Sequence, residues 1–132
     1  GSIQLTFFDI FSDKTKQFGF KAVFPSGKVL ACLGDEPFNE KCRNFVQNCD
    51  YLMCEAFCLY SQKDIFKPYQ KFHSTALDAG KLAESLFAKN LILYHTEDET
   101  LQTRKRTYTS EATTVFNGNI FVPDDFEVID LK

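Results

Sequence analysis

The sequence has no tryptophan, one methionine and only two histidines. The last scarcity matters most. Any chemistry that rests on imidazole, whether metal ligation or proton transfer near neutral pH, is confined to His73 and His95. Positive charge is also short: 15 Lys and Arg stand against 18 Asp and Glu, a net charge of −3. Bulk charge therefore attracts neither nucleic acid nor an anionic membrane. No apolar run approaches the roughly 20 residues of a membrane span, and no repeat or low-complexity segment appears. No secretory signal is recognised, so the cytoplasm is the expected compartment, and Gly1-Ser2 reads as the remnant of a cleaved tag. The five cysteines are odd in number, which suits small buried hydrophobes in a reducing compartment better than a disulfide framework. Cys54 and Cys58 have a spacing that zinc sites use, but no second pair completes four ligands.

What is present is apolar and aromatic: 44% hydrophobic residues, with fifteen Phe, in 132 residues. That is one domain's worth, expected over residues 3–132. Ile3–Phe11 alternates, with Ile3, Leu5, Phe7 and Phe11 on one side and Gln4 and Thr6 on the other, as a strand does. Phe18, Phe20, Ala22 and Phe24 mark a second strand. Pro25-Ser26-Gly27 suits a tight turn into Lys28–Leu33, a short apolar run expected to be a strand covered on both faces. The period then changes. Phe38, Cys42, Phe45 and Cys49 recur at helical spacing, and Asp50–Cys54 is again a short buried strand. Residues 57–72 have no clean period. Thr75 suits a helix N-cap, with Asp78 able to reach back to it, and Ala79, Leu82, Ala83, Leu86 and Phe87 form the expected buried stripe, with Asn90 at the exit. Leu91–Tyr94 is another apolar strand. Residues 97–116 are expected to form a polar surface helix, followed by short strands at Ile120–Val122 and Phe126–Leu131. The class is α/β with an antiparallel leader.

Three apolar strands in this reading end at Asp35, Glu55 and His95. Strands separated by helices run parallel, so these residues share one rim, the edge on which α/β proteins build sites. His73, just before the Thr75 cap, faces the same rim. Taken alone, Gly34-Asp35 is also what a turn looks like, and a single His is more often structural than a ligand. Two His and two carboxylates on one edge are more specific.

The run Leu33-Gly34-Asp35, the strand ending Cys54-Glu55-Ala56-Phe57, the element His73-Ser74-Thr75 before an Ala-rich helix, and Leu91-Ile92-Leu93-Tyr94-His95 together resemble the C-terminal half of a metallo-β-lactamase-fold hydrolase, in its ribonuclease Z-like branch. The resemblance covers about Lys28 to Leu131. It implies a four-layer αβ/βα sandwich of which this chain supplies one half, a mixed sheet with helices on one face. It further implies that Asp35 bridges two zinc ions and His95 ligates one of them, while Glu55 and His73 form the acid pair that protonates the leaving oxygen of a phosphodiester or related ester. A Glu beside a His is expected to raise the His pKa.

The departures are equally informative. The family's first half supplies most metal ligands through a His-x-His-x-Asp-His cluster, which this sequence lacks. Asp35 and His95 cannot complete two metal shells alone. Cys54 stands where the branch usually has His, and the long arm with which ribonuclease Z grips transfer RNA is absent. The expectation is a half of a larger hydrolase, inactive by itself, whose bare sheet face pairs with the missing N-terminal half or with a second copy of the chain. The alternative is a non-catalytic interaction module that keeps the half-fold. Arg104-Lys105-Arg106 spreads its charges around a helix rather than forming a nucleic-acid patch.

Overall fold

The computed structural model describes residues 1–132. Six strands form one sheet in the order β1-β2-β3-β4-β5-β6. They are β1 (Gln4–Asp9), β2 (Phe18–Val23), β3 (Val29–Cys32), β4 (Tyr51–Glu55), β5 (Asn90–Tyr94) and β6 (Asn119–Phe121). β1, β2 and β3 pair antiparallel, while β3 to β6 pair parallel. The predicted turn joins β2 to β3: the Gly27 N–H donates to the Phe24 carbonyl at 2.8 Å.

The parallel strands are linked by helical crossovers that all advance in one direction. Right-handed crossovers of this kind place every helix on the same face. α1 (Arg43–Val46) is a short turn of helix after β3 and α2 (Lys63–Phe66) lies in the aperiodic stretch. α3 (Ala76–Ser85) and α4 (Leu101–Thr113) are the longer ones. α3 opens with the expected capping box, Thr75 Oγ1 accepting from the Asp78 N–H and the Asp78 carboxylate from the Thr75 N–H. The core lies between this helical layer and the sheet. Ala31, Leu33, Leu52, Leu91 and Leu93 meet Val46, Ala79, Leu86 and Tyr108 there. Gly80 lets α3 approach α4, since a Cβ would sit 2.8 Å from Val115 and 3.0 Å from the Ala112 carbonyl.

The other face of the sheet carries no helix. One row crosses all six strands in register: Phe7, Phe20, Cys32, Met53, Ile92 and Phe121. Beside it run Leu5, Ala22, Leu30 and Tyr51. At the β1 edge this face is open to solvent, with Leu5 55% and Phe7 64% exposed.

Several expectations change. In β1 the core-facing residues are Phe8 and, just beyond the strand, Ile10, on the side opposite Ile3, Leu5 and Phe7. The leader pattern is apolar on both sides, and packing against α1, where Phe8 stacks on Phe45 at 4.9 Å, selects the shorter stripe. Phe87 is 70% exposed, because α3 ends at Ser85 and Phe87 turns left-handed at φ 57°. Asn90 is therefore the first residue of β5 and not the helix exit. Phe126–Leu131 is no strand; Phe126 turns left-handed at φ 65°, and the Lys132 N–H beyond the segment donates to the Tyr51 hydroxyl at 3.1 Å.

Candidate active site

The four residues singled out by the strand endings converge. Asp35 and His95 follow β3 and β5, and Glu55 closes β4, so parallel pairing brings all three to one rim. His73 arrives from the segment before α3, where the Phe57 N–H donates to the Ser74 carbonyl at 2.9 Å and ties that segment to the end of β4. The ring of His73 packs on Phe57 at 5.0 Å and lies 4.9 Å from the ring of His95. Asp35 is near enough that both its charge and its backbone act on the His73 imidazole. Asp35 and His95 are exposed, His73 is half-buried and Glu55 is buried.

The backbone at this rim is unusual. Gly34, Phe72 and His95 all adopt positive φ, at 81°, 59° and 59°. For His95 and Phe72 that conformation costs free energy that surrounding contacts must offset. It turns the chain sharply as it leaves β5 and as it enters His73, which aims both imidazoles inward.

Glu55 is held through one oxygen. Oε1 accepts from the Ser74 N–H and from Ser74 Oγ, each at 2.7 Å. Oε2 faces His73 Nδ1 at 3.4 Å, without hydrogen-bond geometry, and neither buried atom has another partner. Burial pushes the Glu55 carboxyl up to about 7, against the opposing pull of the Ser74 hydrogen bonds. Burial and the neighbouring His95 hold the His73 imidazole below its ordinary value, with Asp35 opposing them. This reverses the expected effect of the pair. A carboxyl that is itself largely desolvated does not lift its neighbour; it becomes half-protonated near neutrality. Burial thus favours the uncharged form of both members of the pair.

A pocket of about 220 Å³ opens beside the pair, lined by Leu33, Pro37, Phe38, Cys54 and Leu82. Its apolar wall accounts for the desolvation of Glu55. Ligand atoms of Glu55, His73 and His95 lie within 4.8 Å of one another. Asp35 stands beside this trio rather than in it. The five cysteines are unpaired; burial raises the thiols of Cys54 and Cys58, the latter to about 12, and none joins a candidate metal group. Arg104 is occupied by Asp124 at 2.8 Å and Thr96 at 3.0 Å, and Lys105 by Glu127 at 2.6 Å, so two of the three residues of the basic triplet are held in ion pairs.

No known family profile matches the chain. A 69-residue stretch, 52% of the chain, is 38% identical to Ribonuclease Z of Bacillus cereus, where it spans 22% of the protein. Ribonuclease Z of Bacillus mycoides matches to the same degree. The fold superposes with a TM-score of 0.75 on the metallo-β-lactamase fold protein YhfI from Bacillus subtilis, at 20% identity, covering 93% of this chain and 48% of that one. It superposes with a TM-score of 0.71 on human tRNase Z, short form, at 24% identity, covering 97% and 43%. The fold is one half of a metallo-β-lactamase sandwich. The half-sandwich spans less than half the length of these solved structures and a smaller share of the matched sequences. No helix in it is long and apolar enough to cross a membrane.

Three residues of this half-sandwich site escaped the sequence reading. Ser74, which positions Glu55, resembles an ordinary pre-cap serine; its only signal is its place between His73 and the Thr75 cap. Tyr94 sends its hydroxyl to the Gly34 carbonyl and pins the Asp35 loop to β5, a role hidden in an apolar strand. Glu97 is buried, caps the approach to α4 through the Glu99 N–H at 2.6 Å and the Thr100 N–H at 3.2 Å, and lies 3.4 Å from the Tyr108 hydroxyl. It reads in sequence as one more acid of a polar helix.

Proposed function

We propose that this chain is the C-terminal half of a metal-dependent hydrolase of phosphodiester or related ester bonds and is inactive by itself. The observation that carries the reading is the placing of two exposed potential ligands, Asp35 and His95, directly beside a buried Glu55–His73 pair on one rim. The open apolar sheet face supports it, because an unpaired half-sandwich has such a face and a complete one does not.

The donors fit divalent zinc: the His95 imidazole and the Asp35 carboxylate are of its usual nitrogen and oxygen ligand types. Asp35 and His95 would hold the metal edge that this half contributes, the remaining ligands coming from the N-terminal half. Zinc, when bound, supplies an activated water and neutralises charge on a phosphate. The chain's own residues do the rest. His73 gives a proton to the departing oxygen. The Glu55 carboxyl, 3.4 Å from His73 Nδ1, is placed to supply a replacement proton to the ring when it is itself protonated, regaining it from solvent, and Ser74 fixes Glu55 by holding Oε1. The apolar pocket keeps bulk water from the pair.

The protein carrying both halves tests this. His73→Ala is expected to cut turnover of a model phosphodiester by ~10²-fold or more with unchanged metal content, while Asp35→Ala loses metal. Loss of metal on the His73 change would make His73 a ligand and reverse the assignment. An upstream reading frame without the His-x-His-x-Asp-His run would favour the other reading, an interaction module that uses the same open face.

A further inference from the structure

We propose that Glu55, His73 and His95 of this half alone bind one divalent transition-metal ion, at a site that shares only His95 with the two-metal edge and overlaps the acid pair. The inference stands on geometry and does not require the chain to come from a hydrolase.

Two imidazoles and one carboxylate are a three-ligand set with a fourth position left for water. Their ligand atoms lie within 4.8 Å of one another. Two donors held at zinc distances on a tetrahedral ion are roughly 3.3 Å apart, and Glu55 Oε2 and His73 Nδ1 are 3.4 Å apart. Those are the atoms left without hydrogen bonds, and Glu55 is 1% exposed, so a buried carboxylate oxygen points into the gap with nothing to satisfy it. The surroundings are arranged as metal ligands require. Ser74 fixes the opposite carboxylate oxygen at 2.7 Å from both its N–H and its hydroxyl, the Asp35 backbone acts on the His73 ring, and the left-handed turn at His95 holds the second imidazole over the first. Outer contacts of this kind set ligand orientation. Cys54 and Cys58 are buried and neither belongs to the candidate metal group, which leaves a nitrogen and oxygen site suited to zinc, cobalt or nickel. An ion seated here occupies both members of the acid pair, so in the protein carrying both halves it would act as an inhibitor at excess metal.

The test uses this chain with cobalt and zinc salts. Cobalt titration is expected to give an intense visible ligand-field band saturating at one ion per chain, and zinc is expected to raise the thermal midpoint and displace the cobalt. His73→Gln and His95→Asn, the latter tolerant of positive φ, should each weaken binding by ~10²-fold or more, while Asp35→Asn and Cys54→Ala leave it within about threefold. Absence of any band, binding that survives both histidine changes, or binding lost in Cys54→Ala overturns the proposal. Loss in Asp35→Asn overturns it too. Failure of the hydrolase reading would appear instead as unchanged turnover in His73→Ala, a separate measurement on the protein with both halves.

Discussion

Phe7 is the residue through which the open sheet face is most directly tested. It sits at the centre of the β1 edge of that face, 64% exposed, its only aromatic neighbour being Phe20 at 6.5 Å. A Phe offers on the order of 200 Å², so roughly 130 Å² of Phe7 is available to a partner. At about 25 cal/mol per Å², covering it is worth up to about 3 kcal/mol. In a two-fold dimer both copies contribute, and Phe7→Ser should weaken self-association by up to ~10⁴-fold. Within one chain the change removes little more than a cross-strand pair, about 0.5–1 kcal/mol, so the variant should still fold. Sedimentation equilibrium across a wide concentration range reads the outcome directly. Wild type is expected to associate and Phe7→Ser to run as a monomer with an unchanged circular dichroism spectrum. A wild-type chain that stays monomeric at high concentration, or a variant that associates as tightly as its parent, refutes the reasoning.

Asp50 makes the clearest prediction about stability. It joins the starts of three strands, accepting from the Val29 N–H at 2.8 Å and from Lys89 Nζ at 2.9 Å, and Asp50→Ala should cost about 2–3 kcal/mol by urea unfolding. Burial pushes its carboxyl up, but the Lys89 and Val29 hydrogen bonds outweigh that and hold it below the usual value. A depressed pKa contributes stability that is complete above the unfolded carboxylate range and is lost as pH falls through the folded value. The difference between wild type and Asp50→Ala should therefore be constant near neutrality and shrink below about pH 4; a gap that widens there would contradict the assignment. Thr75→Ala removes the capping box of α3 and should cost about 1 kcal/mol, with Thr75→Ser restoring most of it in the same unfolding assay.

The rim was legible in the sequence because apolar strands of four or five residues stop at charged or ionisable side chains, and because a capping box marks where α3 starts. Parallel pairing then does the rest of the placing, and Asp35, Glu55, His73 and His95 come together as their positions predict. The leader strand was legible as a strand but not in its facing. Residues 3–11 alternate between two apolar sets, and only the presence of α1 decides that Phe8 and Ile10 go inward. Phe126–Leu131 alternates as a strand does, yet no sheet edge is offered to it beyond the three residues of β6. The sign of the Glu55–His73 interaction could not be read at all. Sequence shows that an acid and a base are near each other, whereas the depth of each sets which of them keeps its charge. Tyr94 and Ser74 were hidden for a simpler reason: a hydroxyl that satisfies a neighbouring carbonyl or carboxylate leaves no periodicity behind.

The sheet adds its strands in the order in which they are synthesised, each docking on the one made immediately before. Nothing laid down late has to thread between pieces already in place. A sheet of this kind can mature on its own ribosome and meet its counterpart afterwards. That is the property on which two-piece enzymes, natural or engineered, depend.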